Sequence, residues 1–154
     1  ASIVVINKWD AVEKDGKTMD EYRKKLENDF SFMSYVPFIF ISALTGQRVD
    51  KLYDLINYVC EQNARRISTG MLNDMLAYAT ARVQPPSDKG KRLKIYYGTQ
   101  ASVKPPTFVL FVNNSQLAHY SYIRYLENQL RARFGFEGTP IRFIIREKGK
   151  KDTT

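Results

Sequence analysis

The feature that most constrains the fold is the stretch Ser2-Ile3-Val4-Val5-Ile6, which runs without polar alternation into Asn7-Lys8-Trp9-Asp10. An unalternating apolar run this short reads as a strand buried on both faces, as in a parallel sheet covered by helices. Asn-Lys-x-Asp then falls at the carboxyl end of that strand. In an open α/β sheet the carboxyl ends of the strands face the ligand crevice, so polar side chains there can meet a small molecule.

The chemistry that these residues suit is recognition of guanine. An ionised carboxylate at Asp10 accepts from two donors at once, and guanine offers a ring N–H beside an exocyclic amine where adenine does not. Asn7 can serve the ring N7 and tie neighbouring loops together, while the stem of Lys8 can lie along the base. A carboxylate left unpaired against adenine is costly, which is how a polar pocket rejects the wrong base. Taken alone, the tetrapeptide also fits a simple turn at a strand end.

A second stretch bears on that choice. Phe38-Ile39-Phe40-Ile41 is another unalternating strand, followed by Ser42-Ala43-Leu44-Thr45-Gly46 and then a helix. Small residues at Ser42 and Ala43 let a backbone N–H approach the guanine carbonyl, which the Asp10 carboxylate would repel. Two strand ends therefore converge on one base. Asn-Lys-Trp-Asp followed, after an intervening helix, by Ser-Ala-Leu resembles the fourth and fifth guanine-specificity motifs of the translation-factor-like GTPases.

With 154 residues, 44% of them hydrophobic, the chain has room for one domain or two small ones. The net charge of +8 is unevenly placed: through Ile67 there are ten Lys and Arg against ten Asp and Glu, and from Ser68 onward fourteen against six. A neutral half followed by a basic half suggests two units, only the second shaped for a polyanion. One cysteine, Cys60, excludes an internal disulfide framework and sits among apolar helix positions, where a buried thiol is expected. The lone His119 has no ligand cluster around it, so a structural role is expected. No signal sequence or bilayer-length apolar run occurs, and a cytoplasmic location is expected.

In chain order, Thr18 with Glu21 fits a capping box opening a helix near Met19, with Tyr22, Leu26 and Phe30 as its sheet-facing stripe. Strand, helix and parallel strand make one βαβ unit. A helix is expected from about Val49 to Asn63, with Val49, Leu52, Leu55, Ile56 and Val59 inward. Ser68 or Thr69 can cap the next helix, whose apolar positions are Leu72, Met75, Leu76, Ala79 and Val83. A strand follows around Leu93–Tyr97, another over Thr107–Val112, then a long helix from about His119 to Phe134 with Gly135 as its C-cap, and a last strand over Pro140–Arg146. The two parallel strands of the first half, as part of a larger sheet, leave the Ile3–Ile6 strand with an open edge. An upstream segment, another chain or the second half could each cover it.

The second half thus reads helix, strand, strand, helix, strand, an α+β unit that looks like a KH-type sheet backed by helices. KH domains grip nucleic acid through a Gly-x-x-Gly loop between two helices. The literal match at Gly135-Phe136-Glu137-Gly138 instead joins a helix to a strand, and Glu137 repels phosphate, so turn chemistry explains those glycines better.

Asn-Lys-Trp-Asp, Ser-Ala-Leu-Thr, Leu72-Asn73-Asp74, Arg92 to Tyr97, Val103-Lys104-Pro105-Pro106, Tyr125-Leu126-Glu127-Asn128 and Phe134 to Pro140 together resemble the carboxyl-terminal end of the Der (EngA) ribosome-assembly GTPases. The resemblance covers essentially the whole chain. It implies an α/β partial P-loop GTPase domain over residues 1–67 and a KH-like domain over 68–154 that lacks the usual Gly-x-x-Gly loop. It implies that Asn7, Lys8, Asp10, Ser42, Ala43 and Leu44 read the guanine of GTP or GDP. The parent GTPase is expected to act in large-subunit ribosome assembly in bacteria. Ribosomal RNA or the large subunit, and upstream GTPase domains of the same polypeptide, are the expected partners. Candidate RNA or ribosome contacts are Lys89, Lys91, Arg92, Lys94, Lys148, Lys150 and Lys151, against the plainer reading of a solvated loop and tail. Tyr96, Tyr97, Tyr122 and Tyr125 can stack on bases, though core or interface packing is the simpler role. In the alternative reading the KH-like half packs on the GTPase domains and senses their nucleotide state instead of binding RNA.

No Gly-x-x-x-x-Gly-Lys-Ser/Thr loop occurs in the chain, and it supplies no magnesium ligand or switch segment. Mg2+ is therefore expected in the parent protein with ligands outside this chain. The chain is expected to be a fragment that is inactive alone and binds guanine nucleotides weakly.

Overall fold

A computed structural model describes residues 1–149, and the polypeptide divides into two compact units. The first comprises Ala1–Asn63 together with Glu137–Thr139, and the second comprises Ala64–Phe136 and the chain from Pro140 onward. Lys150 and Lys151 lie outside the described residues.

The first unit runs β1 (Val4–Ile6), α1 (Thr18–Asp29), β2 (Phe38–Phe40) and α2 (Val49–Asn63). β1 and β2 pair in parallel with Val4 opposite Phe38 and Ile6 opposite Phe40, which is the expected βαβ order. The expectation of burial on both faces fails for β1: Val5 is 40% exposed and Val4 and Ile6 are half-buried. A two-stranded sheet among the described residues leaves too little neighbouring surface to cover it. The start of β1 is held from elsewhere in the chain, since Ser2 N–H donates to the Gly138 carbonyl (2.7 Å) and Gly138 N–H donates to Tyr35 (2.7 Å).

Two local expectations of this unit are corrected. Thr18 is the first residue of α1, not its cap. The residue at the N-cap, Lys17, makes no side-chain cap bond. Asp15 does the work instead: its carboxylate accepts from Lys17 N–H (2.8 Å) and from the Thr18 hydroxyl (3.0 Å), while Thr18 Oγ1 accepts from Asp15 N–H (2.8 Å). That hydrogen bonding holds the Asp15 carboxyl below its ordinary value, first through the Lys17 amide and then through the Thr18 hydroxyl. α2 has the expected bounds, but only Val59 of its apolar face is buried, and Cys60 is exposed. One residue beyond Val59 is about 100° around the helix, which turns the thiol outward.

The second unit contains α3 (Thr69–Arg82), a short antiparallel pair β3 (Ser87–Asp88) and β4 (Lys91–Arg92), then β5 (Ile95–Ser102), β6 (Thr107–Val112), α4 (Tyr120–Phe134) and β7 (Arg142–Glu147). β6 is central, antiparallel to β5 and parallel to β7. Ser68 caps α3, its hydroxyl accepting from Met71 N–H at 3.2 Å. Leu72, Met75, Leu76 and Ala79 are buried as the period requires, whereas Val83, already in extended backbone past the last turn, is 45% exposed. α3 and α4 cover one face of the sheet, and the core there joins Leu72, Leu76, Phe108, Leu110, Val112, Leu126, Leu130, Phe134 and Phe136.

Polar side chains lock this layer. The Asn73 side chain behaves like an extra peptide beside β5, accepting from Gly98 N–H (2.8 Å) and donating to the Gly98 carbonyl (2.9 Å). Buried Gln100 pins the chain leading into α3 by accepting from Ile67 N–H (2.8 Å) and donating to the Arg65 carbonyl (2.9 Å). Gly135 caps α4 with φ 92 and donates to Arg131, and Phe136 follows fully buried against Phe108. The Gly-x-x-Gly segment is thus a helix-to-strand turn. Among the described residues no helix is long and apolar enough to cross a membrane.

Candidate functional site

β1 and β2 end side by side, and the two loops leaving them are stitched together. Ile41 N–H donates to the Ile6 carbonyl (2.8 Å) and Trp9 N–H to the Ile41 carbonyl (3.1 Å). Trp9, 2% exposed, anchors the first loop against Phe40 (4.7 Å between ring centroids) and Tyr22 (5.6 Å). Lys8, in the left-handed region at φ 59, turns the chain between Asn7 and Trp9.

Two side-chain hydrogen bonds then cross between the loops. Asn7 Oδ1 accepts from Ala43 N–H at 3.1 Å and from Lys8 N–H at 2.7 Å. The Ser42 hydroxyl donates to Asp10 Oδ1 at 2.6 Å, with Ser42 itself completely buried. Ser42 also organises its own turn: its Oγ accepts from Thr45 N–H (3.2 Å), its carbonyl from Gly46 N–H (2.8 Å), and it bridges to Gln47. The structure therefore brings together Asn7, Asp10, Ser42 and Ala43, with Lys8 and Leu44 exposed beside them. Leu44 is 87% exposed.

The arrangement leaves a defined donor and acceptor set. Asn7 Nδ2 and Asp10 Oδ2 have no protein partner among the described residues, and the Asp10 side chain is exposed. The Ala43 amide, assigned from the sequence to a base carbonyl, is donated to Asn7, while the Leu44 amide next to it donates to nothing among the described residues. Sequence reasoning overlooked two supports. Trp9 occupies the unspecified position of Asn-Lys-x-Asp, and no motif marks Arg48, whose guanidinium donates to the Phe40 carbonyl at 3.1 Å. The apolar bulk of Trp9 between polar neighbours was the one available signal.

In the second unit, Lys89, Lys91, Arg92, Lys94 and Lys148 are exposed. Lys94 and Lys148 reach the Tyr96 ring, their Nζ atoms 5.4 and 5.0 Å from its centroid. Tyr96 and Tyr97 are each 42% exposed. Tyr122 and Tyr125 take the packing role instead, their hydroxyls donating to the Val83 and Ala79 carbonyls at 2.8 and 2.9 Å. His119 is the N-cap residue of α4.

A parallel strand pair with stitched mouths, joined to an α+β unit in which two helices back a β5-β6-β7 sheet, defines a mixed α/β protein with a KH-like second half. Residues 66–146 match the family model of the KH-domain-like, C-terminal part of EngA bacterial GTPase enzymes. The chain belongs to the EngA family. It is 68% identical over 151 residues to the GTPase Der of Acetivibrio thermocellus, 65% over 152 to that of Ruminiclostridium cellulolyticum and 57% over 150 to that of Alkaliphilus oremlandii. These alignments cover 97–99% of the chain and 34% of each relative, so the chain spans about a third of the length of those proteins.

Proposed function

We propose that the chain is the carboxyl-terminal part of a GTPase, comprising the end of a P-loop GTPase domain that reads the guanine base and a KH-like domain that contacts ribosomal RNA. The observation that carries the first half of this reading is the pair of cross-loop bonds at Asn7–Ala43 and Asp10–Ser42. With Ser42 holding one oxygen, Asp10 presents its carboxylate to the ring N–H and exocyclic amine of guanine. Asn7 keeps Nδ2 to donate to N7, and the Leu44 amide is a donor for the base carbonyl. The Lys8 stem, on a residue turned out by its left-handed backbone, flanks the base. GTP or GDP is thus the ligand that the donor set fits, and a bound nucleotide would bring the phosphates and Mg2+ on which hydrolysis depends. The groups that cradle them are assigned to sequence outside this chain, and hydrolysis to the whole protein.

The second half of the reading rests on the basic excess after Ser68, on the exposed cations of the KH-like unit and on membership of the family. Its cellular setting in this account is cytoplasmic large-subunit assembly.

The nucleotide reading is tested by titrating the 15N-labelled chain with GDP and, separately, ADP to millimolar concentration. GDP is expected to shift the backbone amides of Lys8, Ala43 and Leu44, and ADP to leave them in place. Equal shifts with both nucleotides, or shifts confined to other residues, would overturn it.

A further inference from the structure

The registers of β5, β6 and β7 fix which side chains share the sheet face that carries no helix. Phe108, Leu110 and Val112 point into the core beneath α3 and α4, so Val109 and Phe111 point the other way. Pairing extends this into rows: Tyr97, Phe111 and Arg146 in one, Thr99, Val109 and Ile144 in the next, and Thr107 with Arg142 beyond. No acidic residue stands in any row. Tyr97 and Phe111 are already stacked, 4.5 Å apart and 18° from parallel. A register shift between Ile95 and Tyr97 exposes Tyr96 as well, and the Lys94 and Lys148 ammonium groups lie 5.4 and 5.0 Å from its ring centroid. Lys94, Arg142 and Lys148 form no ion pair among the described residues.

We propose that this helix-free face of the β5-β6-β7 sheet binds single-stranded RNA, with bases stacking on Tyr96, Tyr97 and Phe111 and phosphates meeting Lys94, Arg142 and Lys148. The proposal rests on the reading of the KH-like unit as an RNA contact and gives that contact a sheet face in place of a Gly-x-x-Gly clamp. Aromatic rings interleaved with cations are the pattern of a sequence-tolerant single-strand site, because every base has a π-face and every nucleotide a phosphate. Strand spacing of about 4.8 Å and same-face residues about 6.8 Å apart along a strand place rings and cations at separations that a splayed single strand can follow. A duplex keeps its base faces stacked inside and cannot use the rings. A protein partner would find little exposed apolar surface here, since Val109 is only 6% exposed and Ile144 alone stands out at 41%, and it would leave the framing cations unused.

The test is fluorescence anisotropy of a labelled single-stranded RNA of about ten nucleotides titrated with the full 154-residue chain, with wild type compared with Tyr96→Leu, Tyr97→Leu and Arg142→Gln. Each tyrosine substitution is expected to weaken binding by about 5- to 100-fold without changing its salt dependence. Arg142→Gln is expected to lower the log–log salt slope by about 0.7. A duplex of the same sequence is expected to compete at least tenfold less well. Circular dichroism verifies each fold, and Tyr96, at the rim, supplies the usable variant if Tyr97→Leu does not fold. If wild type binds RNA but both tyrosine variants bind equally well, or duplex competes as well as single strand, the sheet face is overturned while the RNA reading survives on the β3–β4 lysines. If wild type shows no salt-sensitive RNA binding, the RNA reading itself fails and this site with it, leaving the face to a protein partner.

Discussion

At the scale of single residues, Gly138 is the most tightly specified position in the first unit. Its φ is +79, and an added Cβ would lie 2.6 Å from both Val59 methyls and 3.2 Å from the Ser2 carbonyl. The left-handed backbone and the contact act together: only glycine both adopts this conformation cheaply and lets the segment close on α2. Gly138→Ala is expected to lower stability by more than 1 kcal/mol through strain of this kind. Adding Val59→Ala should recover the part due to the clash and leave the backbone part. Denaturant unfolding of the two single variants and the double variant measures the coupling, and strict additivity would contradict it. In the second unit, Tyr122 is closely held as well, buried and bonded to the Val83 carbonyl. Burial first, and the neighbouring Tyr125 second, push its hydroxyl up to about 12. A phenol that holds its proton more tightly when folded stabilises fully below the unfolded value of 10.0, and that stability is lost as pH rises toward about 12. Tyr122→Phe, which forfeits the bond to Val83, is expected to cost about 0.5–1.5 kcal/mol at neutral pH. The difference from wild type should shrink between pH 10 and 12, and a constant difference across that range would refute the assignment.

Among the elements, the most direct pH test concerns α1. The Asp15 carboxylate that binds the first turn is ionised more readily in the folded chain, so its contribution is present above the ordinary aspartate value of 3.8 and is lost as pH falls below it. Helix content of α1, followed through its amide resonances on acidification, is expected to fall in that window in wild type. Asp15→Asn, which can still accept from Lys17 N–H but cannot titrate there, should flatten the response. How much of the elements was legible follows the same logic of local against distant partners. α2, β6 and α4 begin and end within a residue of expectation because capping and periodicity are local: Ser68 before α3 and Gly135 after α4 both do what their types suggest. The failures lie where a competing local turn or a partner distant in sequence decides. Asp15 takes the capping role that the Thr18–Glu21 spacing suggested, because a short Asx turn competes for the same amides. Cys60 faces outward because the contact of α2 centres on Val59 and Gly138. The exposure of both Tyr96 and Tyr97 comes from a register shift that alternation cannot reveal.

For the whole molecule, the central claim is that two loops from adjacent strands of the first unit form one base-reading site, and that the second unit is a basic KH-like one. The convergence was legible because both strands end in polar or small residues at the same edge of a parallel pair. The use of the Ala43 amide by Asn7 was not, since no sequence signal says which of two adjacent amides a side chain will take. That Glu137–Thr139 belong to the first unit was likewise hidden, because chain order places them within the second. The claim is tested most directly by measuring the dissociation constants of GDP and xanthosine diphosphate for the wild-type chain and for Asp10→Asn, using the Leu44 amide as the probe. The amide introduced at Asp10 can donate to the carbonyl that xanthine carries in place of the guanine amine. The expected result is GDP preferred by wild type and the preference reversed in the variant, a swing of at least tenfold given about 1.5–3 kcal/mol per charge-assisted bond. Asp10→Asn retaining the wild-type preference for GDP would contradict the site.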